Sequence, residues 1–296
     1  MAHAELASGE DAYTLDDFIH GRPEELIQAD PDAEERILVL WPHGNEKLGP
    51  KVGHHMYSKR PDLLRNVDYI CGNPLAAGEE EPQRYTTGTA IGYEADGTDL
   101  NRSFSPDITP RSYEEHRARA IGSTIKNGRY KHVLDLHTST TELGSCLLIS
   151  ERYREEPAVR EIIAASPISR VVVLPELITF GDKEVPLATT GLIGNFPNAV
   201  SAEYNAKHAD EVGVDEITVT IDGLIAGKPL VTPRDREFYT VTDFIWKTKD
   251  PGEAAKNFEK CKFGYYPVLY GENSYRTDPT KPYLGFAATS RDVEFF

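Results

Sequence analysis

The chain has 296 residues, 48 Asp and Glu against 32 Lys and Arg, a formal net charge of −16, and a hydrophobic fraction of 39%. This balance excludes a largely disordered chain, a collagen-like fibre and a coiled coil, and the length suffices for one large α/β domain with a small appendage. The acidity excludes general nucleic-acid binding and adhesion to anionic membranes, both of which need a basic face.

Three scattered cysteines, Cys71, Cys146 and Cys261, form neither a disulfide scaffold nor a metal finger, and their odd number suits a reducing compartment. The first residues are acidic and lack the basic start and apolar core of a secretory signal. The longest apolar runs, such as Ile37–Trp41, fall far short of the roughly 20 residues that span a bilayer. A soluble, cytoplasmic protein is expected.

In chain order, residues 1–35 are acidic and rich in small residues, with a short helix expected around 14–28. Ile37–Trp41 is a continuous apolar run closed by Pro42 and Gly44, the pattern of a central strand covered on both faces. Similar runs follow at Val67–Cys71, His132–Leu136, Cys146–Ile149, Val171–Leu174 and Ala199–Ala202. Helical segments lie between them near 112–127, 155–166 and 208–226, and Ser112 stands at capping-box spacing from Glu115. Strands alternating with helices predict an α/β fold on a parallel or mixed sheet.

Residues 76–98 are Gly-rich, acidic and aperiodic, and a loop of that length in a compact domain usually serves function. The texture changes near Gly227–Pro233. From 236 onward the chain is aromatic, β-branched and punctuated by turns, with a helix expected only around 252–260. The expected division is a main domain, 1–228, and a β-rich C-terminal subdomain, 229–296.

His43 and Glu46 directly follow the first strand, and loops at strand C-termini are where α/β sheets place their sites. Imidazole and carboxylate are ordinary zinc ligands, and a catalytic zinc takes about three protein ligands. His137 ends another apolar strand and would reach the same sheet edge, with Asp135 on the same face as a supporting partner. The other reading is two unrelated strand-end histidines bonded to backbone. Asn101 and Arg102 lie together in DLNRSF; a guanidinium binds a carboxylate bidentately and an Asn amide adds a donor, although such a segment also suits a surface salt bridge.

The order HGNE, GNP at 72–74, DLNRSF, DLHTST and AVSAEYN at 199–205 resembles the zinc carboxypeptidase superfamily, most closely its succinylglutamate desuccinylase/aspartoacylase branch, over about residues 36–280. The resemblance implies a zinc carboxypeptidase-like mixed sheet flanked by helices, with the C-terminal subdomain capping the active site. It implies one zinc ion per chain on His43, Glu46 and His137, and Asn101 with Arg102 on the substrate's α-carboxylate. Glu203 becomes the general base that deprotonates the attacking water and later protonates the leaving amine; a carboxylate paired with Lys207 or His208 is the alternative. Tyr275 in GENSY is similar to a tyrosine that reaches substrate in aspartoacylases, with Glu272 as a subdomain anchor.

Two departures are visible. Where the family has a carbonyl-polarising arginine shortly before DLNR, this chain has Glu94 and Asp96, and the nearest upstream arginine is Arg84 in a lengthened loop. Where aspartoacylases carry an arginine about ten residues before the base, TTGLIGNFPNAVSAE has none, and Asn195 is the closest polar group. This speaks against a strictly N-acetylaspartate or N-succinylglutamate substrate.

His54 and His55 are expected as an exposed pair, and His3, His20, His116, His132 and His208 as surface or cap residues. The implied activity is zinc-dependent removal of an acyl group from a small N-acylated amino acid. A peptide-cleaving metallocarboxypeptidase and a silent binding protein of the same fold are the alternatives. A dication and Arg102 in one pocket would outweigh surface carboxylates screened over about 8–10 Å, so the net charge does not exclude an anionic substrate.

Overall fold

A computed structural model describes residues 13–21, 28–30, 32–180, 183–229, 236–279 and 281–291. The chain divides into two compact units, Met1–Leu136 and His137–Phe296. This division differs from the boundary at 228/229 that composition suggests.

In the first unit, helix α1 (Leu15–Ile19) opens on a Thr14–Asp17 capping box. The rest of the helix expected there runs into residues 22–27, outside the described residues. Strand β1 (Ile37–Trp41) is buried at every position, as its unbroken apolar run requires. Helix α2 (Leu48–Lys59) follows, then β2 (Val67–Cys71) and the single turn α3 (Pro74–Ala77). Helix α4 (Tyr113–Asn127) starts at the Ser112–Glu115 capping box, and β3 (His132–Ser139) follows. Strands β2 and β3 both lie parallel to β1, with Val67 and His132 level with Ile37. The division between the units falls inside β3, whose residues 132–135 are paired with β1.

The second unit carries β4 (Ser145–Ser150), α5 (Pro157–Ala165), β5 (Arg170–Leu174) and a hairpin of β6 (Leu177–Phe180) and β7 (Lys183–Pro186). Next come β8 (Ala199–Asn205), a short α6 (Ala206–His208), a wide turn at Ala209–Gly213, and α7 (Val214–Ala226). The helix expected over 208–226 is therefore interrupted near its start. Strand β9 (Glu237–Trp246), β10 (Tyr266–Val268), α8 (Asn273–Arg276) and β11 (Tyr283–Arg291) complete the unit. Strand β4 runs parallel to β5 and antiparallel to β8, β5 runs parallel to β9, and β9, β11 and β10 are antiparallel neighbours.

The strand order is β10-β11-β9-β5-β4-β8-β3-β1-β2, a mixed sheet of the expected α/β class. No helix among the described residues is long and apolar enough to cross a membrane.

Three local expectations are corrected. No helix forms over 252–260, because backbone groups there pair with the chain around β10: Phe258 N donates to Pro267 O at 2.9 Å, and Phe258 takes a φ of 62° that a right-handed helix cannot hold. His132 is fully buried on β3, whereas a surface position was expected. His54 and His55 are half-buried, with His54 edge-on to Phe18 at 5.7 Å. His3 lies outside the described residues.

Candidate metal centre and active site

Strand β3 pairs with β1 in parallel up to Leu40 and Asp135, and His137 follows two residues later on β3. The chain turns sharply after β1, with Glu46 N donating to His43 O at 3.1 Å. Gly44 permits that turn, since a Cβ there would lie 2.5 Å from Ala77 N. As a result one donor atom from each of His43, Glu46 and His137 lies within 4.8 Å of the others, and all three residues are buried.

The chemistry of this set fits a cation. His43 Nε2 lies 2.9 Å from an Asp99 oxygen, which orients the ring, and His43 Nδ1 lies 2.6 Å from Glu46 Oε1. A neutral imidazole that donates Nε2–H to Asp99 turns its Nδ1 lone pair toward a carboxylate oxygen. A metal ion held by Nδ1 and the Glu46 carboxylate satisfies both groups, as does a second ring proton donated to Glu46. Nitrogen and oxygen donors from His, His and Glu are a normal set for zinc.

Asp99, the partner of His43 Nε2, was not singled out from the sequence; its position two residues before Asn101 in DLNRSF was the available signal. Its Oδ1 also accepts from Asn101 N at 2.9 Å, which caps the turn Leu100–Arg102. Its Oδ2 accepts from Arg84 Nη2 at 3.2 Å. Burial opposes ionisation of Asp99, but His43, Arg84 and Arg102 outweigh it and hold the carboxyl well below the usual carboxylate range. Arg84 also donates from Nη1 to Glu46 Oε1 at 3.3 Å. The loop therefore brings Arg84 onto Glu46 and Asp99, while Glu94 lies near Arg111 at 3.8 Å. Asn101 is half-buried and Arg102 exposed, on the turn that Asp99 caps.

Glu203 lies on β8, buried, directly across from Cys146 on β4. Tyr204 takes the opposite face, with its hydroxyl donating to Glu216 of α7 at 2.9 Å. Nearby, Lys207 lies 3.8 Å from Glu211, and the His208 ring stacks on Tyr204. Burial, and then the Glu203 charge, push the Cys146 thiol far up, which keeps it an unreactive core residue.

Tyr275 is buried in α8, its ring 5.1 Å from Tyr283 and 6.0 Å from Phe286. Glu272, just before α8, accepts from Ser139 Oγ at 2.5 Å and from both Thr140 N and Thr140 Oγ1 at 2.9 Å. The segment carrying Tyr275 is thereby tied to the end of β3, just past His137. Glu272→Ala removes the acceptor of all three bonds and is expected to lower the unfolding free energy by about 1–3 kcal/mol. The check is a lower urea midpoint at unchanged slope.

Comparison with known proteins gives a consistent picture. Residues 42–183 match the profile of the succinylglutamate desuccinylase/aspartoacylase catalytic domain. The murine aminoacylase 3 structure is similar at a TM-score of 0.60 and 17% identity, over 87% of this chain and 95% of that one. Succinylglutamate desuccinylase from Chromobacterium violaceum is similar at 0.58 and 13%, over 89% and 88%. The Vibrio parahaemolyticus succinylglutamate desuccinylase gives 0.55 and 14%, over 87% and 82%. A search of curated proteins finds no match. Identities this low speak for a shared fold.

Proposed function

From the match of residues 42–183 to the succinylglutamate desuccinylase/aspartoacylase catalytic domain, we propose a zinc-dependent amidohydrolase that removes the acyl group from a small N-acylated amino acid. The observation that carries the proposal is the buried His43, Glu46 and His137 cluster, whose nitrogen and oxygen donors lie within 4.8 Å of one another and suit zinc. When bound, zinc is a Lewis acid toward water and an amide carbonyl.

The chain's own residues would do the rest. Asn101 and Arg102 hold the substrate's α-carboxylate, so that orientation supplies much of the rate. Arg84, already beside Glu46, is placed to steady charge on the carbonyl oxygen. Glu203 takes a proton from the attacking water and returns it to the leaving nitrogen. Tyr275 reaches the substrate from the C-terminal segment, and the C-terminal residues narrow the entrance. A cytoplasmic location accords with the acidic, cysteine-poor sequence.

The amino acid is one without an acidic side chain. Asn195, the closest polar group where aspartoacylases carry an arginine, donates its amide hydrogens to Thr189 O and Gly191 O of its own loop. The test is a panel of N-acetyl amino acids given to the zinc-loaded protein. Neutral substrates should exceed N-acetylaspartate by at least about tenfold in kcat/KM, because leaving one polar group without its partner costs ~1.4 kcal/mol or more. Preference for N-acetylaspartate would overturn the specificity. Cleavage of unblocked peptides alone would mark a carboxypeptidase, and zinc binding with no turnover would mark a binding protein.

A further inference from the structure

Glu114 has no exposed surface, although it stands in the first turn of α4, where carboxylates usually face water. The donors that satisfy it come from outside its own helix. Its Oε1 accepts from Thr86 N at 2.7 Å and from Asn73 Nδ2 at 2.8 Å, and its Oε2 accepts from Thr98 N at 3.1 Å. A carboxylate there to favour the helix dipole would need none of these partners.

Thr86 and Thr98 are the two feet of one loop. Its neck is closed by Gly97 N donating to Gly88 O at 2.9 Å and by Thr89 Oγ1 donating to Asp96 at 2.5 Å. The feet pack so tightly that a Cβ at Gly97 would lie 2.0 Å from Thr86 O. Beyond the neck, Ile91 at the tip is fully exposed, so the bonds at the neck fix the loop.

Each foot carries one group that touches a metal-ligand candidate. Two residues before Thr86, Arg84 donates to Glu46; directly after Thr98, Asp99 meets His43. We propose that Glu114 is a positioning residue: one buried carboxylate holds both feet and so fixes the two groups that orient Glu46 and His43. The inference rests on the reading of those two residues as metal ligands. It explains how a loop longer than the family pattern still delivers an arginine to the cluster.

Glu114→Gln tests it. The side chain keeps its size but has one acceptor oxygen, and its new NH2 must face a backbone donor, so only one foot stays satisfied. Zinc affinity, measured by competition with a chromogenic chelator, is expected to fall about tenfold, as when partners of ligating residues are removed. The visible spectrum of the cobalt(II)-loaded protein should shift, and peptides spanning 84–99 should exchange amide hydrogens faster while far-UV circular dichroism is unchanged. Asn73→Ala removes the third donor, which belongs to neither foot, and should leave zinc affinity near wild type. If Glu114→Gln fails to fold, Glu114→Asp, one methylene shorter but still a carboxylate, should give the same losses in smaller measure.

Wild-type zinc affinity and an unaltered cobalt spectrum in the folded Glu114 variant would overturn the inference. So would an equal loss of zinc affinity in Asn73→Ala. None of these readouts uses turnover. A wild-type protein that bound zinc but hydrolysed nothing would therefore sink the proposed reaction and leave the result for Glu114 standing.

Discussion

Glu203→Gln is expected to lower kcat for N-acyl amino acid hydrolysis about 10²–10⁴-fold, the usual contribution of a positioned general base, while zinc content and the thermal midpoint stay near wild type. The substitution keeps side-chain shape on β8, so the Ala202–Leu147 and Glu203–Cys146 cross-strand pairs keep their packing. What is lost is the ability to take up a proton: an amide can still bond to water but cannot deprotonate it. KM should change little, because Asn101 and Arg102, not Glu203, are proposed to bind the carboxylate. Steady-state kinetics with metal analysis on the same samples separates the cases. Undiminished kcat would remove Glu203 from the mechanism. Lost activity together with lost zinc would mean that the residue serves the metal centre instead.

The sequence made strand positions easy to read and loop geometry hard. The apolar run at Ile37–Trp41 became a strand with those limits, because a strand buried on both faces leaves no polar position to blur its ends; Val67–Cys71 did so as well, with the buried Asp68 accepting from Ala29 N and Tyr130 Oη. Helix α2 went unseen: Gly49, Pro50, Gly53 and two adjacent histidines obscure it. Yet Leu48, Val52 and Met56 recur every fourth residue and are all buried, and Pro50 sits in the first turn, where it removes no helical bond.

The candidate metal cluster was legible for the same reason as the strands. Each histidine stands within two residues of the C-terminal end of an apolar strand, His43 after β1 and His137 on β3. Arg84 and Asp99 were harder. Whether an arginine fifteen residues from Asp99 returns to it depends on the feet of the loop, whose Thr86 and Thr98 N–H groups donate to the buried Glu114, bonds that no side-chain periodicity records.

His43→Ala and His137→Ala should each abolish stable zinc binding, with zinc per chain after dialysis against a weak chelator falling from one toward zero. Removing a direct ligand should cost more than the roughly 10–100-fold lost with a supporting partner, so a graded series follows. Asp99→Asn, which keeps the hydrogen bond to Asn101 but weakens the hold on His43, should fall between wild type and the ligand variants. His54→Ala, which alters a half-buried histidine on α2, should keep its zinc. The two ligand variants test different parts of the fold: His43 stands in the turn after β1, whereas His137 stands on β3. Full zinc retention by either one would break the three-residue ligand set. Retention by His137→Ala alone would mean that the strand brings His137 close without using it, and that a different group completes the site around His43 and Glu46.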